Sequence, residues 1–455
     1  MKLYEKKQID WENILFSNRT LFWLLLPIII EQFLNSLMGM VDTIMVSTVG
    51  NEAISAVSLV DAINNLVIQV FLAMASGAAI ICSQYIGSGN KKQSNRAAEQ
   101  VVLTVFVISL SITVVCILGG ERLLRLVFGT VDDTVMENSL VYFMITVISY
   151  PFLALFSAGA AFYRASGNSK FPTKVSVFSN VINVMGNALF IYGFKWGVAG
   201  AALATLLSRV FCTVVIFYCL RKPRQIIVVK NYLKIYPDMP LILAIMAIGV
   251  PSGIENGMFQ FGKLAVQSTV STMGTIAMSA QAMTNIFENV NGIFGNSVGI
   301  GLMTVVGQLI GANRKEEAKY YIVKLMCIAG IGTLVSCLLV LAITKPVTLL
   351  AGMEVEAAQM CFELVVAMTV VKPLVWVGAF GLPYGLRAAG DVKFSMIASV
   401  CIMWGCRVAL GIFLVRVFHF GLMGVWIGMF ADWIVRAAIF TTRFVNGKWL
   451  QYKLF

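Results

Sequence analysis

Glu31, Asn35, Met38 and Asp42 follow one another at steps of four, three and four residues inside an apolar run, which stacks them on one face of a helix. Carboxylates in such a run demand a reason, because an ionised side chain at mid-bilayer costs on the order of 3 kcal/mol or more. A polar stripe three turns long has to face protein or a water-filled cavity. Asn180, Asn183 and Asn187 repeat the device without charge, at i, i+3 and i+7. One Asn would be plain interhelical glue. Three aligned amides in the same half of the chain as Asp42 point instead to a site that holds a proton or a cation, Na⁺ included. Thr205 and Tyr150 are secondary candidates, and Asp61, Asn65 and Gln69, at i, i+4 and i+8, have the chemistry of a hydrated wall.

The second half offers Glu255 and Lys263 in one run and Asn285, Glu288 and Asn289 in the next. Glu255 and Lys263 are eight residues apart, roughly 80° around a helix. They can pair with each other, or Glu255 can face a substrate. Glu31 has the same two readings, a bond to a neighbouring helix or a place in a cleft. Arg209, Lys372, Arg407, Asp432 and Arg436 read as structural pairs or snorkelling ends. Among the 23 methionines, Met38 and Met258 are candidates for a pocket wall, where a flexible thioether suits varied ligands.

Nothing here reads as an enzyme. The chain has no HExxH, GxSxG, Walker A or DDxxD motif, and His419 is its single histidine. Asp132-Asp133 reads as a solvated turn. The nine cysteines are scattered without a CxxC pair, so neither a zinc site nor a disulfide framework is indicated. No cofactor is expected. With no ATPase domain, any uphill movement has to draw on a gradient of H⁺ or Na⁺.

The elements that position these residues are membrane spans. Hydrophobic residues make up 59% of the 455 and charged residues 12%, with a mean hydropathy of +0.85, outside the range of soluble domains. Twelve runs have membrane length: 20–46, 53–83, 97–119, 136–161, 172–194 and 197–220, then 241–270, 276–309, 321–344, 358–386, 395–417 and 421–443. Residues 1–220 make a first lobe of six spans, 221–240 a basic surface connector with Arg221, Lys222, Arg224, Lys230 and Lys234, and 241–455 a second lobe. The expected fold class is therefore all-α integral membrane. The polar stretch Met1 to Thr20 ahead of the first span argues against a cleaved signal peptide.

The two lobes repeat each other. Pro27 and Glu31 return as Pro251 and Glu255, an offset of 251 − 27 = 224, and the same offset carries Gly50 to Gly274, Asn65 to Asn289, Gln84 to Gln308 and Lys91 to Lys315. Paired repeats in a hydrophobic chain are a transporter's signature, with substrate and ion sites at or near the repeat interface. The net charge of +12 resides in short loops and calls for no nucleic acid. Tails and even-to-odd loops carry about 24 Lys and Arg against about 5 elsewhere, which places both termini in the cytoplasm. Six spans per lobe make the repeats parallel, related by a pseudo-two-fold axis along the membrane normal.

The chain resembles the MATE (multidrug and toxic compound extrusion) family over essentially its whole length. The resemblance rests on Val41 to Val46, Gln84 to Gly89, Tyr163 to Gly167, Asn180 to Asn187, Gly200 to Thr205, Pro251 to Glu255 and Gly307 to Ala312, through their order, spacing and doubling. It implies two six-helix lobes around a central cleft, and a plasma-membrane antiporter, expected as a monomer. Bulky and often cationic compounds would leave by alternating access against inward H⁺ or Na⁺. It implies a cation site at Asp42, Asn183, Asn187 and Thr205, with Asn180 beside it, and a substrate cleft drawing on Glu255, Glu31, Asn35, Met38, Tyr150 and Glu288. The chain departs from the family at Asn187, where many members have Asp, and at Trp376, where members resembling the NorM branch have an Asp three turns before the arginine matching Arg387. The nearest rival is a flippase of the same superfamily moving a lipid-linked saccharide. Such proteins tend to have additional spans or a strongly cationic central cavity.

Overall fold

The computed structural model describes residues 4–129, 132–223, 225–230, 232 and 235–452, and among them there is helix and no strand. The first six spans are Asn18–Ser47, Asn51–Gly87, Lys91–Phe128, a bent pair Asp133–Ile148 and Tyr150–Ala165, Lys170–Gly193, and Gly197–Leu220. The second six are Met239–Ser271, Thr275–Gly311, Lys315–Leu350, Val355–Ala388, Val392–Arg416 and Gly421–Val445. Counting the bent pair once gives the expected twelve. Side chains such as Leu118 and Leu374 are at least 80% exposed. A soluble protein would hide such a belt, whereas here it is the surface that lipid wets.

Breaks fall where the chemistry dictates. Span four bends by 43° at Ser149, just before Pro151, whose ring cannot continue the hydrogen-bond ladder. Spans five, ten and eleven each contain a π turn, at Ala188–Gly193, Val377–Gly381 and Met403–Leu410. Pro27 and Pro251 lie inside their helices at the same place in the repeat.

The backbone itself carries the doubling. Positive φ occurs at Gly50, Gly89, Lys195 and Gly197, and again at Gly274, Asn313, His419 and Gly421, each pair 224 apart. Gly129 with Gly352 and Gly167 with Gly390 follow at 352 − 129 = 390 − 167 = 223. Turn geometry has thus been kept even where glycine has become Asn, which tolerates the left-handed region better than most residues.

Packing gathers Phe22–Gly253 into one compact unit and Met1–Leu21 with Ile254–Phe455 into another. Within each, small residues let helices approach closely. A Cβ on Gly186 would lie 2.9 Å from Ala204 in the first unit, and one on Gly428 would lie 2.8 Å from the Gly411 backbone in the second.

The connector differs from the expected surface strip. Ile227, Val228 and Val229 are buried, the Val228 amide donates to Asn95 Oδ1 at 2.9 Å, and Arg96 pairs with Asp238 at 2.7 Å. The Tyr232 hydroxyl donates to the Phe217 carbonyl at 2.6 Å, and burial pushes that phenol up to about 12, so it remains a neutral donor. Arg224 and Lys234 lie outside the described residues.

Both ends of the chain meet the turn after span eight. Arg314 donates to the Asn13 carbonyl at 2.7 Å, the Leu15 amide donates to Glu317 at 2.9 Å, Tyr321 donates to the Phe16 carbonyl, and Lys315 donates to the Leu450 carbonyl at 3.4 Å.

Candidate functional site

In the first unit, spans one, five and six bring the predicted polar residues into one hydrogen-bonded chain. Asn187 donates through Nδ2 to Asp42 Oδ1 at 2.7 Å and to Asn183 Oδ1 at 3.3 Å. Asn183 donates to Thr205 Oγ1 at 3.3 Å, and Thr205 donates to the Ala201 carbonyl at 3.1 Å. Asp42 is half-buried, while Asn183 and Asn187 are buried. The donors all run one way, so Asp42 Oδ1, Asn183 Oδ1 and Thr205 Oγ1 each already accept a hydrogen. Asn187 Oδ1 is buried without a partner. Asn180 stays outside the chain, its buried Nδ2 unpartnered.

A second network flanks the first. Asn64 donates to Asp61 Oδ1 at 3.2 Å and accepts from the Tyr150 hydroxyl at 2.7 Å. Arg209 donates to Ser149 Oγ at 2.6 Å, at the bend of span four, with its charge in electrostatic reach of Asp61 and Asp42. The sequence stripe of Asp61, Asn65 and Gln69 missed Asn64, whose side chain sits one step round the helix, while Asn65 is exposed. Tyr150 was expected to line the cleft, but it is wholly buried and serves this network.

Glu31, another residue expected in the cleft, is 3% exposed. It accepts from Arg164 at 2.7 Å and from Thr173 at 3.2 Å, holding spans one, four and five together. A carboxylate so enclosed is a structural clamp. Glu255, its counterpart, pairs with Arg387 at 3.3 Å, not with Lys263; the partners are 133 and 132 residues apart, so the ion pair is duplicated with the repeat. Asn35 is exposed and accepts from Ser176 at 3.4 Å, and Met38 is half-buried one turn short of Asp42. Glu288 holds the fully buried Lys372 at 3.0 Å. The expectation that Lys372, Arg407, Asp432 and Arg436 form pairs agrees with the geometry: Arg407 and Arg436 share Asp432 at 3.1 and 3.0 Å.

These features coincide with a known family. The MatE family model matches residues 27–189 and again 251–413, starting at Pro27 and at Pro251. Together the two stretches cover well over half the chain, and the protein belongs to the MatE family of membrane transporters. Over 98% of its length the chain is 28% identical to "Uncharacterized transporter YisQ" of Bacillus subtilis, covering 97% of that protein. It is 23% identical, over 98% of its length and 96% of the relative's, to "Probable multidrug resistance protein NorM" of Thermotoga maritima. A solved structure described as the outward-facing conformation of a multidrug resistance MATE family transporter of the MOP superfamily superposes with a TM-score of 0.87 at 19% identity, covering 94% of this chain and 96% of the other.

Proposed function

We propose that the protein exports bulky organic compounds, many of them cationic, in exchange for an inward-moving proton that binds Asp42. The observation that carries the choice of ion is the amide of Asn187, whose two hydrogens go to Asp42 and Asn183. An amide nitrogen offers hydrogens and no lone pair to a cation. Those hydrogens take one lone pair each on Asp42 Oδ1 and Asn183 Oδ1, so sodium would meet oxygens already partly satisfied by donors, whereas a proton can add to the second oxygen of Asp42 with those donors still in place.

Neutralising Asp42 removes the one charge in this chain of groups and frees the Asn187 amide to turn. The ion drives the cycle only through a different affinity for the two states of the protein. Loading from outside would favour the form that releases the compound outward, and loss of the proton inside would restore the form that binds it. The transport site would thereby open to each side of the membrane in turn.

We further propose a plasma-membrane location with both termini in the cytoplasm. The loop charges support it, as does the meeting of both chain ends at one turn. Purified protein in liposomes, given either a pH or a sodium gradient, tests the reading: ethidium efflux is expected with the pH gradient alone. Efflux driven equally by sodium overturns the assignment of the ion.

A further inference from the structure

The second unit carries more positive charge inside its spans than its own carboxylates neutralise. Among the described residues, the carboxylates that Lys263, Lys372, Arg407 and Arg436 face are Glu288 and Asp432, an excess of 4 − 2 = 2. Lys372 uses Glu288, and the two arginines share Asp432. Lys263 makes no ion pair among the described residues and is exposed. Its ammonium lies 5.1 Å from the centre of the Phe259 ring, one turn deeper into span seven. An ammonium there cannot face hydrocarbon, so that side of the helix faces water or a ligand.

Arg407 lies over the same ring, its guanidinium carbon 5.0 Å from the centre. Two cations thus converge on Phe259. Arg407 is 6% exposed, and its Nε–H is buried without an acceptor, an arrangement that is costly, the more so for a charged group, unless a partner arrives. It is held in the π turn Met403–Leu410, a distortion that recurs at functional sites.

The first unit does not repeat this set of charges. At 224 residues earlier, Lys263, Arg407, Asp432 and Arg436 correspond to Gly39, Asn183, Ser208 and Cys212, all neutral.

We propose that Lys263 and Arg407, both beside the Phe259 ring, form a subsite for an anionic group, a carboxylate carried by an amphipathic organic compound. Zwitterionic and acidic compounds then join the cations among its cargo. This rests on reading the protein as an exporter of organic compounds. The carboxylate would supply the acceptor that Arg407 Nε lacks and the counter-charge that Lys263 lacks, and the Phe259 ring would pack against the apolar body of the compound.

The test uses two fluorescent probes that differ only at one carboxyl group: rhodamine 19, the free acid, and its ethyl ester rhodamine 6G. Binding of each to the full-length protein in nanodiscs is followed by fluorescence polarisation. Lys263→Met should weaken the acid by about ten-fold or more, as expected for a lost charge-assisted hydrogen bond, and shift the ester less than about two-fold. Arg407→Lys, which keeps the charge and removes Nε, should weaken the acid selectively as well. If Arg407→Lys fails to fold, Lys263→Met alone decides, since Lys263 has no ion-pair partner to strand.

Equal losses for acid and ester, no loss for either, or no binding of the acid at all would overturn the proposal. A Lys263 dependence seen with farnesyl phosphate but not with rhodamine 19 would also overturn it, assigning the cluster to a lipid headgroup. Ethidium efflux by the unaltered protein is scored separately: its absence defeats the exporter reading, whereas a failed acid preference with efflux intact defeats only the subsite.

Discussion

At the scale of the residue, the decisive group is the amide of Asn187. It gives hydrogens where a carboxylate would give lone pairs, and so occupies a lone pair on each of two oxygens a metal ion would want. Asn187→Asp removes those hydrogens and leaves two facing carboxylates, the oxygen set a hard cation prefers. Sodium chloride, compared with potassium chloride, should then raise the melting temperature of this variant by about 2 °C through preferential binding to the folded state, and leave the unaltered protein unmoved. A sodium response in the unaltered protein would contradict the geometry. Asp42, Asn183 and Asn187 stood out in the sequence because residue type and helical period locate polar groups that lipid cannot tolerate, while Thr205 joined them through the family resemblance. Their partners did not stand out. The partner of Glu255 comes from Arg387 in span ten, which no local spacing reveals, and Lys263 looked plausible only because it lies in the same helix. The duplicated Glu–Arg pair was the available signal, since Arg164 and Arg387 follow matching glutamates at nearly equal distances. Asn64 was hidden by its neighbour Asn65, as one step in register decides which of two adjacent amides turns inward.

At the scale of the element, small residues set how closely spans pack. The contact of Gly428 with the Gly411 backbone leaves no room for a methyl group, so Gly428→Ala must push spans eleven and twelve apart. The expected cost is about 1–3 kcal/mol, typical of overpacking a tight interface, read as a lower midpoint of unfolding in detergent. Gly257→Ala, where a Cβ meets nothing within 4 Å, serves as the neutral control. Equal stability of the two variants would show that the close approach does not matter. Twelve apolar runs could be counted from composition and length alone, and Pro151 hinted at the bend in span four. The π turns could not be foreseen, because they arise from packing between helices and leave no mark on hydropathy. The docking of the N-terminal tail on the side chains of Arg314, Glu317 and Tyr321 was equally hidden, because the tail offers them backbone carbonyls and an amide that any sequence would have.

At the scale of the whole molecule, one structural idea has been used twice and then given two different electrostatic characters. Turn geometry, proline position and the Glu–Arg clamp are shared, while the interior polar groups are dominated by Asp42, Asp61 and a single Arg209 in one unit and by four cations in the other. The orientation read from loop charges predicts that a cysteine placed at Asn51 reacts with an impermeant reagent in intact cells, and that one placed at Lys230 does not; labelling at Lys230 would invert the topology. The account's central claim is that one carboxylate couples the ion to the cargo, and the most direct measurement is ethidium efflux by Asp42→Asn in liposomes under an imposed pH gradient. The variant keeps the shape and removes a costly charge from inside a membrane span, so it should insert and melt like the unaltered protein while its efflux falls to the level seen without a gradient. Efflux at the unaltered rate under the same gradient would contradict the claim and move the coupling site to the carboxylates of the second unit.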